Sequence, residues 1–284
     1  PGKSTHDAHD GFVERLIVPQ VSAVWSADPE QIWTFPAAFL AQFFHNHGML
    51  SVRGRPRWLT VTGGSNTYVA AIERRLRRPV RTHTPVTRVT RHATHVDVVP
   101  ASTGRTERFD EVILACHSDQ ALALLTDPST AEREILGAIP YQENEAVLHT
   151  DASLLPRRRH ARQAWNFHLL AEPRDRTTVT YWMNRLQRLE SAHDLCVTLN
   201  LTDRIDPGRI LRTIPYAHPV FTPDGIAAQA RHREISGVRR TRYCGAYWRW
   251  GFHEDGVWSA LQAIEGIGER APLLAEDPPT ELAA

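Results

Sequence analysis

Lysine is nearly absent from this sequence. Lys3 is the single lysine among 33 lysine and arginine residues, so arginine carries almost all of the positive charge. Long apolar runs are missing too, because the run at 112–116 is far shorter than the ~20 residues that a membrane-spanning helix needs. No positively charged apolar leader precedes the first helical pattern. We therefore expect a soluble, cytoplasmic protein without a transmembrane segment.

Cysteine is scarce, and neither sign of charge is in excess. Cys116, Cys196 and Cys244 lie in apolar or aromatic stretches without a close partner in sequence, which argues against disulfides and zinc knuckles. The formal net charge is only +1, although arginines cluster at 74–78 and 157–162. These clusters could contact phosphates, but a solvated surface is the better interpretation, because nucleic-acid-binding domains are strongly basic. We expect no nucleic-acid partner.

Apolar spacing divides the chain into segments of different character. Mixed three and four spacing predicts a helical block at 1–57, with one helix beginning at Asp28-Pro29 and ending at Gly48. Strand and helix patterns then alternate through 58–133, where the run at 112–116 predicts a strand covered on both faces.

Further along, several strand candidates within 134–235 predict a mixed or antiparallel sheet. The segment 236–271 gives a strand, a loop and a helix, and a flexible tail is expected at 272–284.

The strand-loop-helix segment at 245–263 carries the clearest functional pattern. Gly245 ends a strand where a missing side chain lets the backbone approach a ligand, and the residues GFHEDG at 251–256 then open a helix. The start of a helix offers free N–H groups and a positive dipole end, which suit a pyrophosphate or a flavin oxygen. An ordinary strand-to-helix turn with an acidic cap explains the same residues. The helix is predicted to use one apolar face, formed by Val257, Ala260, Leu261 and Ile264.

Six stretches of sequence together carry a family resemblance. They are VTGGSNTYV, VILACHSDQAL, NEAVLHTD, TYWMNRLQ, YCGAYW and GFHEDG. In this order they resemble the bacterial FAD-dependent oxidoreductases described as predicted NAD/FAD-binding proteins, within the flavin-containing amine oxidoreductase superfamily. The resemblance spans nearly the whole chain. It implies an α/β, two-domain flavoprotein of the amine-oxidase type, with a partial FAD-binding domain and a substrate domain of helices and a mixed sheet.

The resemblance also implies where FAD binds. Segments 58–133 and 236–271 would build the FAD-binding domain, and segments 1–57 and 134–235 the substrate domain. Gly63 and Gly64 match the family's turn before a helix. The residues that match the family's flavin contacts are Val86, Ala115, Cys116, Gly245, Trp248, Gly251, Phe252, His253, Glu254, Asp255, Gly256 and Val257. Among these, Val86 matches the adenine contact, and Gly256 with Val257 matches the helix start near the isoalloxazine.

Aromatic side chains suggest a place for the substrate. Tyr247 lies among the aromatic residues of the last segment, and Tyr181, Trp182 and Asn184 form a second candidate wall on the sheet. Flat apolar walls beside a flavin would exclude water and receive a small hydrophobic substrate. An ordinary aromatic core accounts for any one of these rings.

This chain departs from the family pattern in several ways. No G-x-G-x-x-G fingerprint occurs in it, so the βαβ segment that normally binds the pyrophosphate is missing. The lysine found beside the flavin in many amine oxidases has no counterpart, since Lys3 lies outside any such motif. This lack favours desaturation, isomerisation or another hydride abstraction over oxidative deamination. Ala260 and Arg249 also replace smaller residues.

The residues do not favour a metal site or a hydrolase. His92 and His95, like two other close histidine pairs, lack the third and fourth ligands that zinc needs, so no metal is expected. His117, Ser118 and Asp119 are merely consecutive, and no nucleophile elbow supports a hydrolase.

The sequence therefore predicts an FAD-dependent oxidoreductase that abstracts a hydride from an apolar, fatty-acyl or amine substrate. The alternative is a noncatalytic truncated fragment, or a subunit that needs an oligomer or a partner chain to complete the FAD site. No catalytic residue can be named from the sequence.

Overall fold

The computed structural model describes residues 11–51, 53, 54, 57, 59–172 and 174–267, so Lys3 and the tail expected at 272–284 lie outside the described residues. The chain forms two compact units, unit 1 (Pro1–Thr62 with Ala138–Ala228) and unit 2 (Gly63–Gly137 with Gln229–Ala284). Each unit is therefore assembled from two separate stretches of the chain. None of the helices that the structure describes is long and apolar enough to cross a membrane.

The regular elements of the described residues come in groups of helices and groups of strands. In chain order the α-helices are α1 (Val18–Trp25), α2 (Ala37–Asn46), α3 (Asn66–Glu73), α4 (Ser118–Leu124), α5 (Thr130–Gly137), α6 (Met183–Leu186), α7 (Pro223–Ala230), α8 (His232–Ile235) and α9 (His253–Ile264). The strands are β1 (Val86–Arg91), β2 (Val96–Pro100), β3 (Glu107–Phe109), β4 (Val112–Leu114), β5 (Tyr141–His149), β6 (Trp165–Phe167), β7 (Val179–Trp182), β8 (Cys196–Leu199), β9 (Ile210–Pro219) and β10 (Thr241–Tyr243).

The helical part of unit 1 is broken where the sequence predicted one helix. A 3-10 turn at Gln31–Thr34 stops before Pro36, and α2 begins only at Ala37. Proline lacks an N–H and its ring clashes with the preceding turn, so a continuous helix through Pro36 is disfavoured. At the other end Gly48 takes the left-handed conformation, with φ of 62°, just after the helix stops.

Unit 1 holds an antiparallel sheet of five strands in the order β6-β7-β8-β5-β9. Its core forms where Ala23 of α1 packs on Ala146, Val179 and Leu199 of the sheet. A second apolar region is aromatic, with Trp25 4.6 Å from Phe43 between ring centroids. The sheet is therefore antiparallel rather than mixed in its described strands.

Within its described residues, unit 2 contains two small sheets. Strands β1, β2 and β3 form an antiparallel meander, and β4 pairs in parallel with β10. The prediction that the run at 112–116 is covered on both faces was wrong for this structure, because Ile113 and Ala115 are exposed and only Leu114 is buried. In the described residues β4 pairs only with β10, so no broad sheet surrounds it.

A buried ionic network fastens the elements of unit 2 together. The Arg91 side chain of β1 is fully buried and donates to the Glu132 carboxylate of α5, with Nη2 to Oε2 at 2.9 Å. The Tyr243 hydroxyl of β10 donates to the same carboxylate at 2.7 Å. Burial alone would raise the pKa of Glu132, but the hydrogen bonds from Arg91 and Tyr243 lower the pKa to about 2. One carboxylate thereby joins β1, α5 and β10.

Candidate functional site

The parallel pairing of β4 and β10 brings two predicted cofactor segments together in unit 2. Tyr243 pairs with Leu114, and the Cys244 N–H donates to the Leu114 carbonyl at 3.0 Å. Because parallel strands end at the same edge of a sheet, Ala115 and Cys116 lie beside Gly245. Ligands of α/β proteins bind outside the carboxyl ends of such strands. Two segments that are more than 100 residues apart in the sequence thus meet at one edge of the sheet.

Gly245 is required by a neighbouring ring. A Cβ at this position would lie 2.3 Å from the Cε1 of Tyr247, which no real side chain tolerates. The Gly245 N–H donates to the Ser259 hydroxyl at 2.9 Å, and that hydroxyl donates to the Gly256 carbonyl, also at 2.9 Å. The end of β10 is thus joined directly to α9. Packing within the unit explains this glycine without a ligand.

Helix α9 begins three residues before Gly256, the position expected from the sequence. Gly251 adopts the left-handed conformation with φ of 93°, and α9 begins at His253. Asp255 is buried and accepts from the Phe252 N–H at 3.0 Å, so its carboxylate serves as the helix cap. Glu254 and His253 are exposed, and His253 Nδ1 is 3.0 Å from the Tyr68 hydroxyl.

The apolar face predicted for α9 lies outside the core of unit 2. Val257 and Leu261 are 53% and 58% exposed, whereas the side chains buried along the helix are Asp255, Ser259 and Ala263. Small residues on the buried face let α9 approach β10 closely, as the Ser259 bond shows. The prediction of the packed face was therefore wrong within the described residues.

The aromatic residues of this segment are mostly core. Tyr247 and Trp248 are buried, and the ring of Trp248 lies 4.5 Å from that of His232. Burial lowers the pKa of His232, whose Nε2–H donates to the Tyr243 carbonyl at 2.8 Å. The indole N–H of Trp248 is buried without a hydrogen-bond partner among the described residues. Such an unsatisfied donor beside the candidate site is the kind of group that a bound polar ligand satisfies.

The remaining predicted cofactor residues differ in their settings. Cys116 is half-buried, and burial raises the pKa of its thiol and of the Cys244 thiol, so both stay protonated. Val86 opens β1 and therefore belongs to the meander rather than to the β4–β10 pair. The structure joins Ala115, Cys116 and Gly245, and it places Val86 on a different sheet of the same unit.

The candidate substrate wall in unit 1 is not one wall. Consecutive residues of a strand point to opposite faces of the sheet. The Tyr181 hydroxyl donates to the Ala23 carbonyl of α1 at 3.1 Å, whereas the Trp182 indole N–H donates to Asp194 at 2.9 Å. Asn184 is engaged as well, because its amide holds the loop at His193 and Leu195. These contacts occupy polar atoms of all three side chains, and the alternation along β7 places Tyr181 and Trp182 on opposite faces. Their role in binding a substrate stays a prediction.

Unit 1 contains a cavity that the sequence analysis missed. It has a volume of about 330 Å³. Apolar side chains and carboxylates line it together, among them Val18, Trp33, Phe167, Leu169, Glu14 and Glu30. One signal in the sequence could have indicated this cavity. Leu169 and Leu170 are apolar although they lie in a connection between strands, where polar turn residues are usual.

Arg174 also lines this cavity, but Asp203 neutralises it through a two-bond ion pair at 2.9 and 2.6 Å. The charged lining that remains holds three carboxylates, Glu14, Glu30 and Asp175, and one further arginine, Arg176. The cavity therefore has an acidic balance.

Comparison with known proteins agrees with these features. The family model for flavin containing amine oxidoreductase matches residues 3–203, which is more than half of the chain. The chain therefore belongs to the flavin-containing amine oxidoreductase family. This confirms the resemblance found in the sequence and the two-domain amine-oxidase fold that it implied. No curated protein sequence matches the chain.

Solved structures show the same fold at low sequence identity. A protein from Exiguobacterium sp. 255-15 designated a protoporphyrinogen oxidase is 18% identical with a TM-score of 0.59, covering 91% of this chain and 64% of its own. Cyclohexylamine oxidase from Brevibacterium oxydans IH-35A is 12% identical with a TM-score of 0.55, covering 89% and 63%. The CLA-producing fatty acid isomerase from P. acnes is 15% identical with a TM-score of 0.50, covering 71% and 51%. The chain spans between half and two-thirds of the length of these proteins.

Proposed function

We propose that unit 2 contributes to an FAD site and that the protein acts as an FAD-dependent oxidoreductase on an apolar substrate. The observation that carries this proposal is the meeting of Ala115, Cys116 and Gly245 at the carboxyl edge of the β4–β10 pair. A ligand that binds there would contact main chain from two distant segments, and Gly245 is itself bonded to Ser259 of α9. The family's flavin, when bound, supplies hydride acceptance, and the protein supplies position and electrostatics.

The charges at the start of α9 limit which part of FAD can face it. Glu254 and Asp255 place two carboxylates in the first turn, and the Asp255 carboxylate already caps the Phe252 N–H. A pyrophosphate would meet like charge at this helix end, whereas an uncharged carbonyl of the flavin ring would meet free N–H groups. The helix start therefore fits the pyrimidine end of the isoalloxazine. Gly256 leaves open space there, since nothing lies within 4 Å of a Cβ built on it.

The unit 1 cavity provides a candidate substrate pocket. Its apolar walls suit a hydrocarbon chain or ring. Its three carboxylates outnumber Arg176, and this acidic balance favours a cationic end group over a carboxylate. This balance supports an amine more than a fatty acid. The family lysine has no counterpart in this chain, which argues against oxidative deamination of an amine. Substrate binding and substrate oxidation therefore need separate measurements.

The FAD site is tested by blocking the strand edge. Ala115 is exposed, so Ala115→Trp fills the edge without disturbing the core. We expect FAD affinity, followed by fluorescence quenching, to fall roughly 10- to 100-fold, because overpacking of this kind costs about 1–3 kcal/mol. Ala123→Trp, at an exposed position of α4 in the same unit, is the matched control and should leave affinity unchanged. Equal losses in both variants, or none in either, would contradict the placement.

A second candidate function is a subunit that holds FAD only with a partner chain. It is favoured by the unburied apolar side chains on two helices of unit 2, Val69, Ile72, Val257 and Leu261. Parallel strands are usually buried on both faces, yet Ile113 of β4 is 39% exposed. Purified 284-residue protein that is colourless and does not bind added FAD would favour this second candidate. A yellow protein with flavin absorbance would favour the first.

A further inference from the structure

The turn between β1 and β2 gathers three metal-binding side chains that the FAD site does not use. His92 and His95 flank the turn, which closes through a hydrogen bond from the His92 N–H to the His95 carbonyl at 2.9 Å. This turn stacks the two imidazole rings, with centroids 4.4 Å apart. Asp97 lies on β2 opposite Thr90, and its side chain points to the same rings. Sequence spacing reveals the two histidines, but only the hairpin register adds the aspartate.

The donor atoms of these residues already converge. His92 Nε2 is 3.0 Å from Asp97 Oδ2, and His95 Nε2 is 3.5 Å from Asp97 Oδ1. One donor atom from each residue lies within 4.8 Å of the others. A tetrahedral zinc ion with bonds of about 2.0–2.1 Å separates its ligands by roughly 3.3 Å. Small side-chain rotations are therefore enough to place all three donors around one ion.

Two further observations support a metal ion at this position. Asp97 Oδ1 is buried and accepts no hydrogen bond in the described part of the chain, although His95 Nε2 and Arg108 Nε lie 3.5 and 3.7 Å from it. The Thr94 hydroxyl lies 3.0 Å from His95 Nδ1, which orients that ring with Nε2 toward Asp97. A hydrogen bond at the far nitrogen of a histidine is the usual support for a metal ligand.

We propose that His92, His95 and Asp97 form a binding site for a divalent transition metal such as Zn²⁺, with solvent completing the coordination. The site lies at the opposite end of β1 from Val86, about 17 Å away at the rise of an extended strand. It is thus separate from the flavin contacts expected in this unit. An ion here would clamp the β1–β2 turn. The expectation of no metal rested on the lack of a third ligand, which Asp97 now supplies.

Arginines near the site oppose the ion, among them Arg240, whose Nε donates to the Ala93 carbonyl of the same turn at 3.0 Å. Arg108 Nε of β3 lies 3.7 Å from Asp97 Oδ1, and its positive charge competes for the same oxygen. The proposed site therefore predicts opposite changes in metal affinity for two kinds of substitution. Removing a ligand must weaken binding, and removing Arg108 must strengthen it.

The experiment is calorimetric titration of the full 284-residue chain with Zn²⁺, with Mg²⁺ as the ion that this donor set should reject. We expect one Zn²⁺ per chain. The variant His92→Ala/His95→Ala should lose this equivalent, Asp97→Asn should bind at least about tenfold more weakly, and Arg108→Gln should bind more tightly. His160→Ala, an exposed histidine of unit 1, should bind like the parent.

Two results would overturn the proposal. One is an unchanged zinc equivalent in the double-histidine variant, which would place the ion elsewhere. The other is weaker binding by Arg108→Gln, because removal of a competing positive charge should strengthen zinc binding at this site. The expected gain in affinity is diagnostic, since misfolding can mimic a lost ligand but cannot raise affinity. X-ray absorption of the zinc-loaded protein supplies a second readout, in which two imidazole ligands are expected and their absence would sink the assignment.

Discussion

Gly245 and Gly256 lie eleven residues apart in the same strand-loop-helix segment, yet the structure needs only one of them to be glycine. A Cβ at Gly245 would overlap the Tyr247 ring, whereas a Cβ at Gly256 would meet nothing within 4 Å. The Tyr247 ring is buried and has little room to move. The two positions therefore respond in opposite ways to the same substitution.

Gly245→Ala should destabilise the protein by about 1–3 kcal/mol through overpacking. Gly256→Ala, inside α9, should be neutral or should stabilise it by up to about 1 kcal/mol, because alanine is the better helix former. Urea unfolding followed by circular dichroism measures both. If both variants are destabilised to a similar extent, then the open space at Gly256 is needed in some way that the structure does not show.

At the scale of elements, the Glu132 carboxylate connects β1, α5 and β10. Replacing it by glutamine removes one of the two carboxylates that pair with the buried Arg91, whose Nε still lies 3.0 Å from Asp127 Oδ1. Breaking a buried ion pair of this kind costs up to about 3–5 kcal/mol. Glu134 lies on the same helix, but it pairs with Arg231 at the surface. Glu134→Gln should therefore cost less than about 1 kcal/mol. A comparison of the two free energies of unfolding at neutral pH checks the role of the buried network.

The same carboxylate predicts a dependence on pH. The pKa of Glu132 is about 2 in the folded chain and 4.5 for the ordinary group, so the folded state binds its proton less readily. Its contribution to stability is complete above about pH 4.5 and is lost as pH falls from there toward 2. Glu132→Gln should flatten the stability profile within this window. A profile as steep as that of the parent would show that other carboxylates govern it.

At the scale of the whole molecule, large apolar side chains remain uncovered on helices of unit 2. We expect the purified chain to self-associate through the exposed face of α9, which carries Val257 and Leu261. Val257→Ser/Leu261→Ser should shift the equilibrium toward monomer by at least about tenfold, since a buried leucine contributes about 1.5–3 kcal/mol. Leu211→Ser, 57% exposed in unit 1, is the matched control. Light scattering that shows a stable monomer for the parent chain would contradict the expectation.

Some of this architecture follows from sequence alone. Strand patterns were predicted within 58–133 and 134–235, and β1, β2 and β5 form inside these segments, because strand preference is a local property. The stretches around Gly245 and Ala115 identified the family, and the family implied the fold. Glycine at 48 marked the end of a helix, where the backbone turns left-handed.

Tertiary structure decided what local patterns could not. Only the pairing of β4 with β10 sets Ala115 beside Gly245, and only the hairpin register brings Asp97 to His92 and His95. The packed face of α9 went against its apolar pattern, because close approach to β10 selects small residues. Tyr181 and Trp182 lie on opposite faces of the sheet, because consecutive side chains of a strand point in opposite directions. Sequence fixes what each residue can do chemically, and long-range contacts choose which residues do it together.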